Sequence, residues 1–481
     1  MPKHLRIPVW LPPSLLMLFL GSWRIGRPGL WADELATWGA AQMPLDDLLR
    51  MVAEVDAVDT VYYVFMYGWV RVFGDSETSL RIPSLLVMTA TAGLVAILGR
   101  RLASYRAGLF AGLAFAVIPA VSRYAQEARA YAFVMLLAVV ATLLLDRICR
   151  PPNIVGHRWK LYLGYAAVVT GLGYLHVLSL LLIPAHGVVI LIESRKRGWK
   201  FIARWVAAVL VGLVPLIPMV WMAAHQQHSQ NWIPESHFRD LFIRLPEKLT
   251  AVGTVSGMLF ALAALQVSRR RSSVMLLSWL IAPPLLLFVV SRFTELFWFR
   301  YLLFIVPALA LLAGLTLARI RILPAVATLL ALFALGWYWH PYYRTPSGHE
   351  HDTRGVGQVI TQNFRPGDAI AYAYGPEESM FWEPRDAVKR YVPADRHPRD
   401  AFVRVPQRAD GNFRAVECPD TQLAVCLAEA PRVWVVRFEN KPDPLRGLTP
   451  PLKEKVLRDG YHLEKVWPLR AFTVAVYVRN Q

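Results

Sequence analysis

Cysteine is scarce in this 481-residue chain, and Cys149, Cys418 and Cys426 have no histidine or cysteine partners at zinc-binding spacing. That excludes a metal knuckle and a dense disulfide scaffold. Charge is scarce too, at 18% of residues, and acids are outnumbered 34 to 52 by Lys and Arg. A net charge of +18 raises the question of nucleic acid, but the basic residues form short clusters between apolar runs and no long basic stripe. Nucleic acid is therefore not an expected partner. The N-terminal apolar run, preceded by Lys3, His4 and Arg6, ends in Trp-Arg-Ile-Gly-Arg-Pro without an Ala-x-Ala-like site, so it reads as a retained signal anchor. No half of the chain repeats the other.

What is abundant is apolar sequence. With 55% hydrophobic residues, mean hydropathy +0.37 and 17 Trp, the chain falls in the polytopic α-helical membrane class. Runs of spanning or near-spanning length occur at 8–23, 83–99, 107–122, 130–147, 161–175, 177–192, 205–223, 251–267, 274–291, 301–318 and 322–339. Every second connection is basic: Arg100, Arg101 and Arg106; Arg147, Arg150, Arg158 and Lys160; Arg195 to Lys200; Arg269 to Arg271; Arg319 and Arg321. The positive-inside rule places these and the N-terminus in the cytoplasm. It places the loop at 24–80 and everything after 340 outside. The expected architecture is about eleven transmembrane helices over 1–339, then a soluble extracytoplasmic α/β domain over 340–481.

In the first outer loop, Trp31-Ala32-Asp33-Glu34-Leu35-Ala36-Thr37-Trp38 sets two adjacent carboxylates between tryptophans. Ionisable groups at membrane depth usually face a cavity and serve chemistry or transport. The plainer alternative is that Asp33 caps a surface helix and Glu34 is a solvated first-turn acid. Outer arginines, Arg81, Arg123, Arg129, Arg292 and Arg300, run against the sorting rule. An arginine kept there suits an anion, because its planar fork matches phosphate; the alternative is snorkelling, or pairing with Glu127 or Glu295. Val61 to Gly74 is aromatic-rich and too short to span, so it is expected to lie along the membrane surface. Asp75 to Ser84 carries helix-start chemistry, with Pro83 near the beginning of the second span.

These motifs together resemble the GT-C glycosyltransferases. They are the acidic pair after the first span, Tyr62-Tyr63 in a surface helix ending Phe73-Gly74, Leu80-Arg81-Ile82-Pro83-Ser84, Ser122-Arg123-Tyr124-Ala125-Gln126-Glu127-Ala128-Arg129-Ala130-Tyr131, and Arg300-Tyr301-Leu302. More narrowly, the chain is similar to the bacterial branch related to protein O-mannosyltransferases and the lipid A aminoarabinose transferase. The likeness runs from the N-terminus to about 318. Many relatives carry His-Pro-Pro before the Tyr-Tyr, where this chain reads Val58-Asp59-Thr60, so Asp56 or Asp59 is left as the substitute.

The resemblance implies inverting transfer of a hexosyl or pentosyl group from a polyprenyl-phosphate donor to a hydroxyl of a glycan, lipid or protein acceptor, at the outer face of the plasma membrane. Lipid phosphate is a good leaving group, so the reaction asks mainly for a base and a cationic clamp. The family pattern makes Asp33 the base, with Glu34 the other choice and Glu127 orienting hydroxyls or tuning the base. Arg81, Arg129, Arg300 and Tyr301 hold the donor phosphate, and Tyr62, Tyr63, Gln126 and Tyr131 bind substrate. Whether a divalent cation takes part stays open: Asp33, Glu34, Glu127, His225 and His228 are the outer candidates, and nothing in the sequence requires a metal. His176 and His186, in an apolar hairpin, read as core residues.

From His340 onward proline and charge become dense. Strands are expected at 368–374, 432–438 and 472–478, with a helix at 354–363. No phosphate-cradling glycine loop or nucleophile motif appears there, and the expected task is to cover the site or hold the acceptor. Cys418 and Cys426 are spaced to close a short disulfide loop. Two competing classes remain: a polyprenyl-lipid flippase, disfavoured because its acids belong at the midplane, and a non-catalytic scaffold, for which Asp33 is dispensable.

Overall fold

The computed structural model describes residues 7–151, 158–226, 233–373 and 382–481. It forms two compact units, one of Met1–Trp23, Ala57–Tyr62 and Arg81–Pro341, the other of Arg24–Asp56, Tyr63–Leu80 and Tyr342–Gln481.

The first unit is helical. Each apolar run of the sequence falls on helix, and among the described residues six helices are long and apolar enough to cross a membrane by length and composition: Glu77–Leu102, Tyr131–Ile148, Val177–Arg197, Trp199–Ala224, Arg271–Val290 and Phe299–Leu317. Shorter apolar helices are Leu11–Ser22, Tyr105–Val117, Gly253–Ala264 and Ile322–Gly336. The helix Val306–Leu317 is buried along its whole length. It is apolar all round, the pattern of a central helix. Its Gly314 lies on Ala111, where an added Cβ would sit 2.4 Å from the Ala111 nitrogen, so only glycine permits this backbone approach. By contrast Leu210, Val211, Val214 and Ile217 are each more than half exposed. An apolar face of that kind is tolerable only in lipid, and the chain is a multi-pass membrane protein.

Pro83 is not at a helix start. The helix begins at Glu77 and carries Pro83 in its interior. Proline has no N–H for the carbonyl four residues back, that of Ser79. The indole Nε1 of Trp69 donates to that oxygen at 3.0 Å instead, so the helix runs through.

The second unit gathers the helices Ala32–Ala41 and Leu45–Glu54 and most of Thr60–Phe73 with an α/β sheet. The strands are β1 (Ala369–Tyr372), β2 (Arg399–Asp400), β3 (Val403–Val405), β4 (Val416–Glu417), β5 (Arg432–Phe438), β6 (Tyr461–Leu469) and β7 (Phe472–Arg479). The main sheet runs β2-β1-β5-β7-β6, with β1 parallel to β2 and β5, and β7 antiparallel to β5 and β6; β3 and β4 form a separate pair. One face packs Val356, Ile360 and Val388 of the helices Thr353–Asn363 and Glu383–Tyr391, the other Leu423, Leu427 and Leu457. Strands β1, β5 and β7 fall where expected, although Tyr374 lies outside the described residues. Strand β6 was not anticipated: it is an edge strand, mostly exposed, with Pro468 and mixed charge. Cys418 and Cys426 form a disulfide; Cys149 is free and buried.

Candidate active site

In the first unit, the short helix Pro119–Tyr124 ends at Ala125, and residues up to Ala130 form an irregular link before the helix Tyr131–Ile148. This link carries the motif of the third and fourth spans. Glu127, 1% exposed, pairs with Arg123 one turn earlier. Arg129 binds Asp59 at 2.5 Å, so the acid standing where relatives have His-Pro-Pro meets a candidate phosphate ligand. Arg300, on the 3-10 helix Phe299–Ile305, lies with Arg123 and Glu127 in electrostatic reach of Tyr124. With Arg129 it also flanks His176. Arg81 adds another, fully buried guanidinium in this unit.

Aromatic rings frame the same place. Tyr131 packs on Tyr124 at 5.6 Å and on His176 at 6.1 Å, and His176 packs on Tyr301 at 4.8 Å. His176, read from sequence as core, therefore sits between two candidate substrate residues, with its Nδ1 buried and no hydrogen-bond partner among the described residues. The hydropathy of its surroundings hid it. Tyr62 is buried edge-on to Phe133 at 6.0 Å. Gln126 gives its amide N–H groups to the carbonyls of Gly21 and Trp23, each at 2.8 Å, and so ties off the end of the first helix. His186 is satisfied by Thr142 and Tyr165.

The other end of Phe299–Ile305 reaches an apolar cavity of about 540 Å³, lined by Ile305, Leu245, Leu249, Phe260, Leu280 and Leu285 among others, with Glu247 and Ser256 its only polar side chains.

In the second unit, the helix Ala32–Ala41 starts after an extended Trp31 and holds Asp33 and Glu34 in its first turn, where the positive end of the helix dipole favours them. Glu34 is fully buried, and its Oε2 lies 3.3 Å from Nδ1 of His349. His351 Nδ1 meets Glu383 Oε1 at 2.6 Å, and Asp33 acts electrostatically on both. Burial alone would lower the His351 value, but the charge and hydrogen bond of Glu383, with Glu350 and Asp33, raise it above the ordinary 6.5. Burial pushes the Glu383 carboxyl up as well. Asp33 is half-buried.

The turn is pinned by residues far along the chain. Gly29 N–H donates to Pro346 O at 2.9 Å, Leu30 N–H to the Tyr391 hydroxyl at 2.8 Å, Thr353 Oγ1 to Leu30 O at 2.8 Å, and Trp382 Nε1 to Ala32 O at 3.4 Å. At the other end of the helix, Trp38 Nε1 and Arg390 both hold Asp75, at 2.9 and 2.6 Å. Burial works against them, yet they keep the Asp75 carboxyl below its usual range. Tyr63 donates to Asp56 at 2.7 Å. His349, His351 and Glu383 went unnoticed in sequence; the His349-Glu350-His351 alternation was the available signal.

Among the described residues no three His, Cys, Asp or Glu side chains gather as a metal site. His225 turns its Nδ1 to the Trp221 carbonyl at 2.7 Å, and His228 lies outside the described residues.

Comparison with known proteins gives the fold a context. Residues 60–222 match the family model described as dolichyl-phosphate-mannose-protein mannosyltransferase. No curated protein sequence matches the chain. Among solved structures, ArnT from Cupriavidus metallidurans bound to undecaprenyl phosphate superposes with a TM-score of 0.61 at 16% identity, covering 97% of each chain. The mycobacterial arabinofuranosyltransferase AftD gives 0.54 at 15% identity over 98% of this chain and 40% of its own. The oligosaccharyltransferase AglB from Archaeoglobus fulgidus, in complex with an inhibitory peptide and a dolichol-phosphate, gives 0.50 at 10% identity over 90% and 69%. The chain therefore has the fold of the GT-C glycosyltransferase superfamily.

Proposed function

We propose that this protein transfers a sugar, hexosyl or pentosyl, from a polyprenyl-phosphate donor to an acceptor hydroxyl on a glycan, lipid or protein at the outer side of the plasma membrane, inverting the anomeric centre. The N-terminus is then cytoplasmic, 1–339 is the membrane catalytic portion, and 340–481 is extracytoplasmic. The observation that carries this reading is the element Phe299–Ile305. It bears Arg300 and Tyr301 at one end and lines the apolar cavity with Ile305 at the other. At about 2 Å rise per residue, these ends lie roughly 10 Å apart, the separation of a lipid phosphate from the first isoprene units of its tail. The lipid phosphates in the ArnT and AglB structures support the same donor class.

In this reading the acceptor oxygen attacks the anomeric carbon as the carbon–oxygen bond to phosphate breaks, and the electron pair leaves on the phosphate. Arg81, Arg129 and Arg300 stabilise that charge, with Tyr301 beside them. Asp33 takes the acceptor proton, Glu34 and Glu127 orient hydroxyls, and Tyr62, Tyr63, Gln126 and Tyr131 shape the substrate sites. If a divalent cation takes part, Asp33 and Glu34 would hold it, and it would supply a second means of holding the phosphate or the acceptor.

The test is release of free polyprenyl phosphate by the protein in nanodiscs, given a panel of labelled polyprenyl-phosphate sugars and candidate acceptors. Wild type is expected to turn over one donor, and Asp33→Asn to bind that donor but slow by on the order of a hundredfold or more. Donor lipid crossing the bilayer without turnover would replace the transferase with a flippase.

A further inference from the structure

The acid pair has ionisable neighbours in the C-terminal part of the chain. Glu34 has no exposure to solvent, and a carboxylate buried so completely is costly unless a proton-bearing group faces it. His349, itself 1% exposed, presents Nδ1 to it at 3.3 Å. One residue pair further, His351 is bonded to Glu383 and stands edge-on to Trp31, the residue that opens the acid-bearing helix, at 5.7 Å and 89°. Its other side rests on Phe438 and Phe472, where β5 ends and β7 begins. The sheet thus backs His351, and His351 backs the first turn.

Glu383 is held the same way. It opens the helix Glu383–Tyr391, whose flanks bind Ala32 O through Trp382 and Asp75 through Arg390.

We propose that His349 and the His351–Glu383 pair are positioning residues of the transfer reaction, fixing the conformation and the charge environment of the Asp33–Glu34 turn. This rests on the transferase reading above. The titratable groups facing His351 are Glu383, Glu350 and Asp33, all acidic, and they outweigh its burial. The imidazolium therefore persists above the ordinary histidine range. When it loses its proton, Glu383 becomes a buried negative charge with Asp33 in its field, and the turn is repelled where it was held. The rate should consequently fall on the alkaline side as His351 titrates, with little change in donor KM.

The experiment measures kcat and KM for polyprenyl-phosphate release across pH 6 to 9 in nanodiscs, together with thermal melting, for the full chain. The variants are Asp33→Asn, His349→Asn, His349→Ala and His351→Asn. Asparagine can place an amide N–H where Nδ1–H stood but cannot carry the charge, so it separates hydrogen bonding from protonation. Expected are a kcat loss of about tenfold or more in His349→Ala, recovery to within about threefold in His349→Asn, and in His351→Asn a lowered kcat without the alkaline fall.

If the histidine variants keep the wild-type rate and pH profile while Asp33→Asn is dead, the positioning proposal is overturned and the transferase stands. A uniform loss that leaves the profile's shape unchanged also overturns it, because it marks a purely structural role. If Asp33→Asn itself matches wild type on an active donor, the base assignment fails, whatever the histidines do.

Discussion

Single residues divide sharply between those whose partners are local and those whose partners are distant. Arg123 and Glu127, four apart, could be paired from sequence, and they are paired. Arg129 with Asp59 is 70 residues apart and Glu34 with His349 is 315, and no periodicity encodes such meetings. The motif residues were therefore legible as candidates, while what each one touches was not. Gln126 gives a residue-scale prediction. Its two amide bonds to Gly21 and Trp23 tie off the first helix, so Gln126→Leu should cost about 1–3 kcal/mol by taking the donor from the buried Gly21 carbonyl and from the half-buried one of Trp23. Thermal melting in nanodiscs checks this, and a change confined to donor KM would point to substrate contact instead. At Arg300, lysine keeps the charge but loses the planar fork. Arg300→Lys should therefore lower kcat/KM by at least about tenfold, with Arg300→Gln worse.

At the scale of elements, apolar periodicity located the helices well, because lipid and core both demand long apolar runs. It misjudged Pro83, since the compensating donor, the Trp69 indole, comes from a different helix. It also passed over β6, because an edge strand has no need of a continuous apolar face. Packing between elements yields two predictions about glycine. The Cβ of Gly314→Ala would lie 2.4 to 2.5 Å from Ala111 backbone atoms, which cannot yield, so the fully buried helix must shift. Overpacking of this kind costs about 1–3 kcal/mol, and melting temperature should fall accordingly. At Gly39 the neighbour is the Arg408 guanidinium at 2.4 Å, ordinarily a flexible tip. Here Asp386 holds it by two bonds of 2.8 and 2.6 Å, both residues being buried. Gly39→Ala should thus destabilise the second unit by breaking that pair's geometry, whereas Gly257→Ala, with open space around it inside a helix, should hold or slightly raise the melting temperature.

For the molecule as a whole, the His351–Glu383 pair links stability to pH. Both groups have values raised in the folded state, so the folded protein binds more protons than the unfolded chain. Stability from His351 is fully present below 6.5 and is lost as pH rises through its folded value; Glu383 follows the same sign from 4.5 upward. Melting temperature should accordingly decline from neutral into mildly alkaline pH, and His351→Asn should flatten that decline. Asp75, lowered in the folded state, acts oppositely: its contribution is present above 3.8 and is lost on acidification.

The pinning of the Ala32–Ala41 turn by residues 346 to 391 also sets an order of events during synthesis. Glu34 leaves the ribosome 315 residues before His349 does. At about 5–20 residues per second, that delay is roughly 15–60 s, during which the acid-bearing segment lacks the contacts that residues 346 to 391 supply. A nascent or prematurely terminated chain that has already threaded its helices into the bilayer would therefore still lack the contact between Glu34 and His349. In the proposed reaction, donor lipid would then not be consumed until residues 346 to 391 have been made.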